Sequence, residues 1–337
     1  MSRFQLIAVV ALSLGWVCLL SACANGRSPY PGASIYSPYK HVNQGLDPAM
    51  PVITAADSGR ALPYVSRLGA PALTWAFATG ECGQETWGGI PGELLARTNV
   101  PLFERARIGY IVSTGGEGGG FRCPSEAGME AFIRRYASEF LLGIDFDIES
   151  DQTPEQIAAL VSSVKAAQRR HPELHFSFTL ATHAAADGSR RSLNRLGETV
   201  LAAIRSAGLV DFRINLMVMN YGPPEAAYCV PEVGRCAMAR SAVQAAENVH
   251  LQYGVPYRQI ELTAMLGEND VAGNVFGLAD AEVLAGVVRE RRLAGLHYWS
   301  LDRDAPCLPG APRVSANCSG TQAPAGAFAR AFETGLR

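Results

Sequence analysis

Residues 141–150 read Leu-Leu-Gly-Ile-Asp-Phe-Asp-Ile-Glu-Ser, so three acids alternate with three apolar side chains. Side chains on a strand point alternately to its two faces. Asp145, Asp147 and Glu149 therefore share one face, and Ile144, Phe146 and Ile148 share the other. Like charges held together in poor solvent push at least one carboxyl pKa upward. A carboxyl that keeps its proton near neutrality can protonate a leaving group. Glu149, last in the run, is placed nearest the rim where chemistry would occur. Two other uses of such a ladder are a solvated acidic edge and a divalent-metal site. The apolar residues between the acids argue against an edge. Hard cations draw oxygen ligands from several segments, and only Asp302 and Asp304 stand out as further acids at a strand end. His171 and His175 are four apart, but Pro172 between them and the β-like run opening at His175 disfavour a helical ligand pair. No metal and no other cofactor is expected.

Elements able to hold such a ladder recur along the chain. Apolar or β-rich runs occur at 33–39, 72–78, 108–113, 140–148, 175–180, 212–219, 259–265 and 295–301. Helical segments are clearest at 153–170, 192–207, 237–253 and 279–292, with an Ala-rich closing helix at 322–334. Thr153 caps the first of these and Pro154 opens it, with Ile157, Leu160, Val161 and Val164 on one face. Strands alternating with helices at this spacing predict an α/β fold, a (β/α)₈ TIM barrel over residues 33–337. An open doubly wound sheet is disfavoured because no G-x-G-x-x-G opens a helix. The glycines of 115–120 lack the Lys-Ser/Thr that would follow in a phosphate loop.

The run 142–149 resembles the D-x-x-D-x-D-x-E signature of glycoside hydrolase family 18, the chitinases and their relatives. The resemblance extends in order through Ser37-Pro38-Tyr39, the stretch from Leu73 to Trp87-Gly88-Gly89, Ser113-Thr114-Gly115-Gly116, Phe178-Thr179-Leu180, Met217-Val218-Met219-Asn220-Tyr221-Gly222, Leu266–Asp270 and Tyr298–Asp304. It implies a chitinase-like glycosidase that cleaves β-1,4 bonds between N-acetylglucosamine units by substrate-assisted retention. By that resemblance Glu149 is the general acid and base, and Asp147 orients the N-acetyl group. Asp145 tunes Asp147 from below, and Tyr221 hydrogen-bonds the acetamido carbonyl. Trp299 resembles the aromatic floor under the reacting sugar. Met219, Asn220, Tyr39 and Trp87 are candidate cleft residues, and Gly115 and Gly116 would let backbone approach sugar or strand. The implied partners are chitin or N-acetylglucosamine oligosaccharides, bound by a monomer.

The match has departures. Leu142 stands where the signature begins with Asp; three residues from Asp145, it is expected to face the helices. Asn220 replaces an acid beside the tyrosine, and Thr114 replaces an aromatic. These changes leave open a catalytically weak or inactive oligosaccharide-binding barrel of the same family.

The amino terminus carries a different signal. Met-Ser-Arg precedes an apolar run over 4–20, then Ser21-Ala22-Cys23. This order describes a secretory leader over 1–22, and Leu20-Ser21-Ala22-Cys23 resembles a bacterial lipobox. Lipid on Cys23, a tether over 23–32 and sorting to the outer membrane are the expectation. Of eight cysteines, Cys18 leaves with the leader and six remain besides Cys23. An even set in an exported chain suits disulfides, and six cysteines allow several pairings. Proximity favours Cys229–Cys236 and Cys307–Cys318 as loop clips, leaving Cys82–Cys123. With 29 basic against 31 acidic residues in 337, the chain offers no electrostatic case for a nucleic-acid partner.

Overall fold

The computed structural model describes residues 34–54, 70–149 and 152–337. The leader, Cys23 and the tether lie outside them. The expected barrel is present. Strand β1 comes in two pieces, Ile35–Tyr36 and Tyr39–His41, followed by β2 (Ala72–Ala78), β3 (Gly109–Gly115), β4 (Leu141–Asp147), β5 (His175–Ala181), β6 (Arg213–Met217), β7 (Ile260–Met265) and β8 (Gly295–Trp299). All neighbours run parallel, and β8 pairs with β1 through Ile35–Gly295 and Tyr39–Trp299, which closes the sheet. A buried ion pair, Lys40 Nζ to Asp302 Oδ2 at 2.6 Å, ties that seam to the turn after β8.

The sheet is wrapped by α1 (Gly92–Ala106), α2 (Glu126–Tyr136), α3 (Pro154–Arg170), α4 (Arg195–Ala207), α5 (Met238–Tyr253), α6 (Leu278–Arg291) and α7 (Ala327–Leu336). The Thr153 cap forms as expected, with Gln156 returning the bond. Helices α1 and α2 were not among the clear sequence signals. Pro101 lies inside α1, and α2 has only 11 residues. Asp304 accepts from the Phe328 and Ala329 amides at the start of α7, and Asp302 is held by Lys40. His171 meets Glu130 at 2.9 Å, and His175 meets Glu261 at 2.8 Å.

Alternation divides each strand as its sequence dictates. Ile144, Phe146, Phe176, Phe178, Ile214, Leu216, Leu262 and Leu296 pack outward into the large core under the helices. Above a small aliphatic base the inward residues are mostly small or polar, so a hydrogen-bonded interior replaces much of the branched aliphatic filling usual in such barrels. Leu142 corrects the expectation made for it. Tyr110 pairs with Leu141 but Ile111 with Gly143, a bulge that takes Leu142 out of alternation. It packs with Ala72, Ile111 and Ile35, where it closes the barrel base instead of facing the helices.

The three expected disulfides form, with Cα separations of 5.0 Å for Cys82–Cys123, 5.8 Å for Cys229–Cys236 and 5.0 Å for Cys307–Cys318. The first joins the loops after β2 and β3. The other two clip the loops after β6 and β8.

Candidate active site

A cleft of about 260 Å³ opens at the carboxyl ends of the strands. Among its lining residues are Tyr39, Phe77, Glu117, Asp147, Glu149, Met219, Asn220, Asp270 and Trp299. The lower acid, Asp145, lies beneath it, 1% exposed. Its Oδ2 accepts from Ser113 Oγ at 2.6 Å and Tyr39 Oη at 2.9 Å, and its Oδ1 from Ser177 Oγ and Thr179 Oγ1, each at 2.7 Å. Four hydroxyl donors thus fix both oxygens. A second tier holds those donors: Thr263 donates to Asn215 at 2.8 Å, and Asn215 donates to Tyr39 and Thr179 at 3.0 and 2.8 Å. Burial, then the charges of Asp145 and Asp147, push the Tyr39 phenol well up, so it stays a donor.

Asp147 is 6% exposed, and its Oδ1 has no hydrogen-bond partner among the described residues. Burial first, then the charges of Glu149 and Asp145, hold its carboxyl well above the usual range. Its side chain also hydrogen-bonds to Glu149, in the sense that keeps the proton on Asp147. Glu149 stands at the open mouth. Loss of water on its protein side and the Glu117 charge raise its pKa, while the bonds from Asp147 and the Glu117 backbone oppose that rise. The result is a pair of interacting acids above a fully bonded carboxyl.

Gly115 explains how the loop after β3 comes so close. A Cβ there would lie 2.0 Å from the Asp147 carbonyl oxygen, and its φ of 87° also favours glycine. Gly116 then donates its N–H to that carbonyl at 3.1 Å, while its α-carbon faces the Phe77 ring. The paired glycines therefore serve backbone-to-strand contact, which sets Glu117 at the mouth.

The wall opposite is aromatic. Trp299 and Phe77 stack at 5.6 Å between centroids and 16° between planes, with His41 5.6 Å from Trp299 on another side. Both partly exposed faces suit the apolar surface of a pyranose ring.

Two sequence candidates are not brought to the cleft. Tyr221 is 1% exposed in the helix-side core, its hydroxyl without a hydrogen-bond partner among the described residues. Asn220 is the cause. Its left-handed backbone, φ 50°, breaks the alternation that brings Met217 and Met219 to the cleft. Trp87 is likewise buried, donating to Tyr136 at 2.8 Å in the core between β2 and α2. Asn220 itself clamps the loop after β7. Its Nδ2 donates to Asp270 Oδ2 at 2.7 Å, and its Oδ1 accepts from the Asp270 and Val271 amides at 2.9 and 3.3 Å. An Asp there would lose the donor and face another carboxylate.

The sequence reading missed Phe77, Glu117 and Asp270 as cleft residues, and Ser113, Ser177, Thr179 and Asn215 as the cradle of Asp145. Strand alternation, extended to β3, β5 and β6, would have found the cradle. The loop residues carry no comparable periodic signal.

No family model matches the chain. Over 148 residues, 40% of its length, it is 31% identical to the "Probable bifunctional chitinase/lysozyme" of Escherichia coli (strain K12), the match spanning 16% of that protein. Over 118 residues it is 30% identical to Endochitinase 11 of Metarhizium anisopliae, covering 33% of this chain and 23% of that one. Among solved structures, the catalytic domain of the hyperthermophilic chitinase from Pyrococcus furiosus superposes with a TM-score of 0.69 at 25% identity, over 91% of this chain and 96% of that one. The same domain has been solved complexed with chito-oligosaccharides. The class V chitinase of Nicotiana tobaccum shares the fold alone, at 12% identity and a TM-score of 0.51, over 83% of this chain and 96% of that one. Barrel and cleft together define a chitinase-like fold of the glycoside hydrolase family 18 type. The homologues carry chitinase names, and the enzyme class they indicate is a glycoside hydrolase.

Proposed function

We propose that the protein is a retaining glycosidase acting on β-1,4-linked N-acetylglucosamine chains, with the substrate's own acetamido group as nucleophile. The observation that carries this reading is the Asp147–Glu149 pair: two interacting carboxyls, both raised, above a floor walled by Trp299 and Phe77. Neither acid is placed as a nucleophile in this scheme, which departs from the common two-carboxylate mechanism. Asp147 hands its proton to Glu149, and Glu149 gives that proton to the glycosidic oxygen as the acetamido carbonyl oxygen bonds to the anomeric carbon and the leaving sugar departs. The buried Oδ1 of Asp147 accepts the acetamido N–H and balances the positive ring so formed. Water then attacks the anomeric carbon, gives its proton to Glu149 and reopens the ring.

Incubation with defined N-acetylglucosamine oligomers, followed by anomer-resolved chromatography, is expected to show shorter oligomers released as the β-anomer first. An α-anomer first would exclude retention. Binding without turnover would favour the weak or inactive barrel, a reading supported by the engagement of Asn220 with the β7 loop and by the retreat of Tyr221.

Burial does most to raise the Glu149 pKa, and the Glu117 charge should extend the alkaline limb of activity further. A raised Glu149 pKa keeps the acid form present to higher pH, and activity falls as pH rises through it. Glu117→Gln removes a like charge, so Glu149 loses its proton earlier and the alkaline limb of kcat moves to lower pH. A superimposable profile would take Glu117 out of this role.

For localisation, the leader and the Cys23 lipobox support an exported lipoprotein held at the outer membrane, its substrate met outside the cytoplasm.

A further inference from the structure

A second cavity, of about 790 Å³, opens at the opposite face, where the strands begin. Four guanidinium groups line it: Arg213 on β6, Arg258 in the turn before β7, Arg289 on α6 and Arg292 just after α6. Two carboxylates, Glu173 and Asp211, share the lining. Asp211 is committed to Arg213 at 2.6 Å, and Glu173 leans toward His171 at 3.7 Å. Among the described residues, Glu290 is the one carboxylate within 4.0 Å of Arg289, at 3.9 Å. Arg258 and Arg292, both exposed, have no carboxylate within 4.0 Å among the described residues.

Cations in the last turn of a helix commonly complement its negative end, which accounts for Arg289. That explanation does not reach Arg213, which opens a strand, or Arg258, which precedes one. The face thus carries more positive charge than its own helices and carboxylates use. The cleft face has the reverse character, with Glu117, Glu149 and Asp270 at its mouth.

Chain connectivity says what this face meets. Ser34 and Ile35 line the basic cavity, and Ser34 follows Cys23 by eleven residues. A segment of that length reaches at most about 40 Å at ~3.5 Å per residue. With lipid on Cys23, the anchor would join the barrel beside this face and hold it within about 40 Å of the lipid surface.

We propose that the arginine-rimmed base of the barrel is a phosphate-binding face that seats on anionic lipid headgroups, directing the cleft away from the membrane. The orientation rests on the Cys23 anchoring reading; the affinity of the face for phosphate does not. Basic side chains near an anionic leaflet are attracted to it, and the attraction fades within a Debye length. The acidic cleft mouth is repelled by the same surface, so both ends of the molecule favour one orientation.

The test uses the full chain reconstituted in vesicles of phosphatidylcholine, with or without phosphatidylglycerol. Arginines are modified with phenylglyoxal and read by peptide mass spectrometry. Phosphatidylglycerol is expected to protect Arg258 and Arg292 while leaving Arg191 and Arg235, on the cleft side, as reactive as before. Arg258→Gln and Arg292→Gln should each weaken association with the anionic vesicles by roughly five-fold, with hydrolysis of soluble oligomers unchanged. Equal modification in both vesicle types would overturn the proposal, as would variants that bind like the parent chain. The mass of the Cys23 peptide in the same digest reports the lipid separately, so a failed anchor and a failed phosphate face give different results. Protection by inorganic phosphate in detergent, with no difference between vesicle types, would leave a soluble phosphate as ligand and overturn the membrane seat.

Discussion

Glu149→Gln is expected to lower turnover of N-acetylglucosamine oligomers by roughly two to four orders of magnitude, the usual worth of a positioned general acid. The substitution keeps the shape of the side chain and its place at the mouth of the cleft, but an amide has no proton of suitable acidity to give. Binding should persist, because the stacked Trp299–Phe77 wall and the Asp145 cradle do not depend on Glu149. Isothermal titration with a tetramer and single-turnover kinetics separate the two quantities. The remaining activity should also lose the alkaline limb that proton loss from Glu149 imposes in the parent chain. Wild-type turnover in the Gln variant would remove Glu149 from the reaction.

Asp147→Asn is expected to cost kcat about 10²- to 10³-fold, the range found when one polar group that stabilises developing charge is removed. The cause differs from that for Glu149. Asp147 is buried, its Oδ1 without a hydrogen-bond partner among the described residues and its side chain bonded to Glu149. A carboxyl there can turn toward the acetamido N–H and carry negative charge as the oxazolinium ion forms. Asparagine can bond to that N–H but cannot balance the ion. The loss should therefore fall on kcat more than on KM. An equal rise in KM with kcat intact would mean that Asp147 only binds.

Some of the site could be read directly from residue order. A period of two over 144–149 is enough to put Asp145, Asp147 and Glu149 on one face, and the same rule holds for the Ser and Thr residues that cradle Asp145. Leu142 shows where that rule stops. Its parity assigned it to the helices, yet a one-residue slip between β3 and β4 turned it into the floor of the barrel. Tyr221 shows the same limit at a strand's other end. Two residues beyond Met219, it would continue the inward set, but the left-handed turn at Asn220 sends it into the core.

Local order thus determined the number and type of the strands, the face carrying the acids and the pairs of cysteines close enough to clip a loop. Each depends on neighbours within one element or one short loop. Tertiary structure alone decided that Phe77 lies on Trp299, that Glu117 reaches the mouth over two glycines, and that Asn220 spends its amide on Asp270. Those contacts join residues from different βα loops, and their geometry exists only once the barrel has closed. The same closure gathers acids at one face and arginines at the other, a polarity hidden in a net charge of -2.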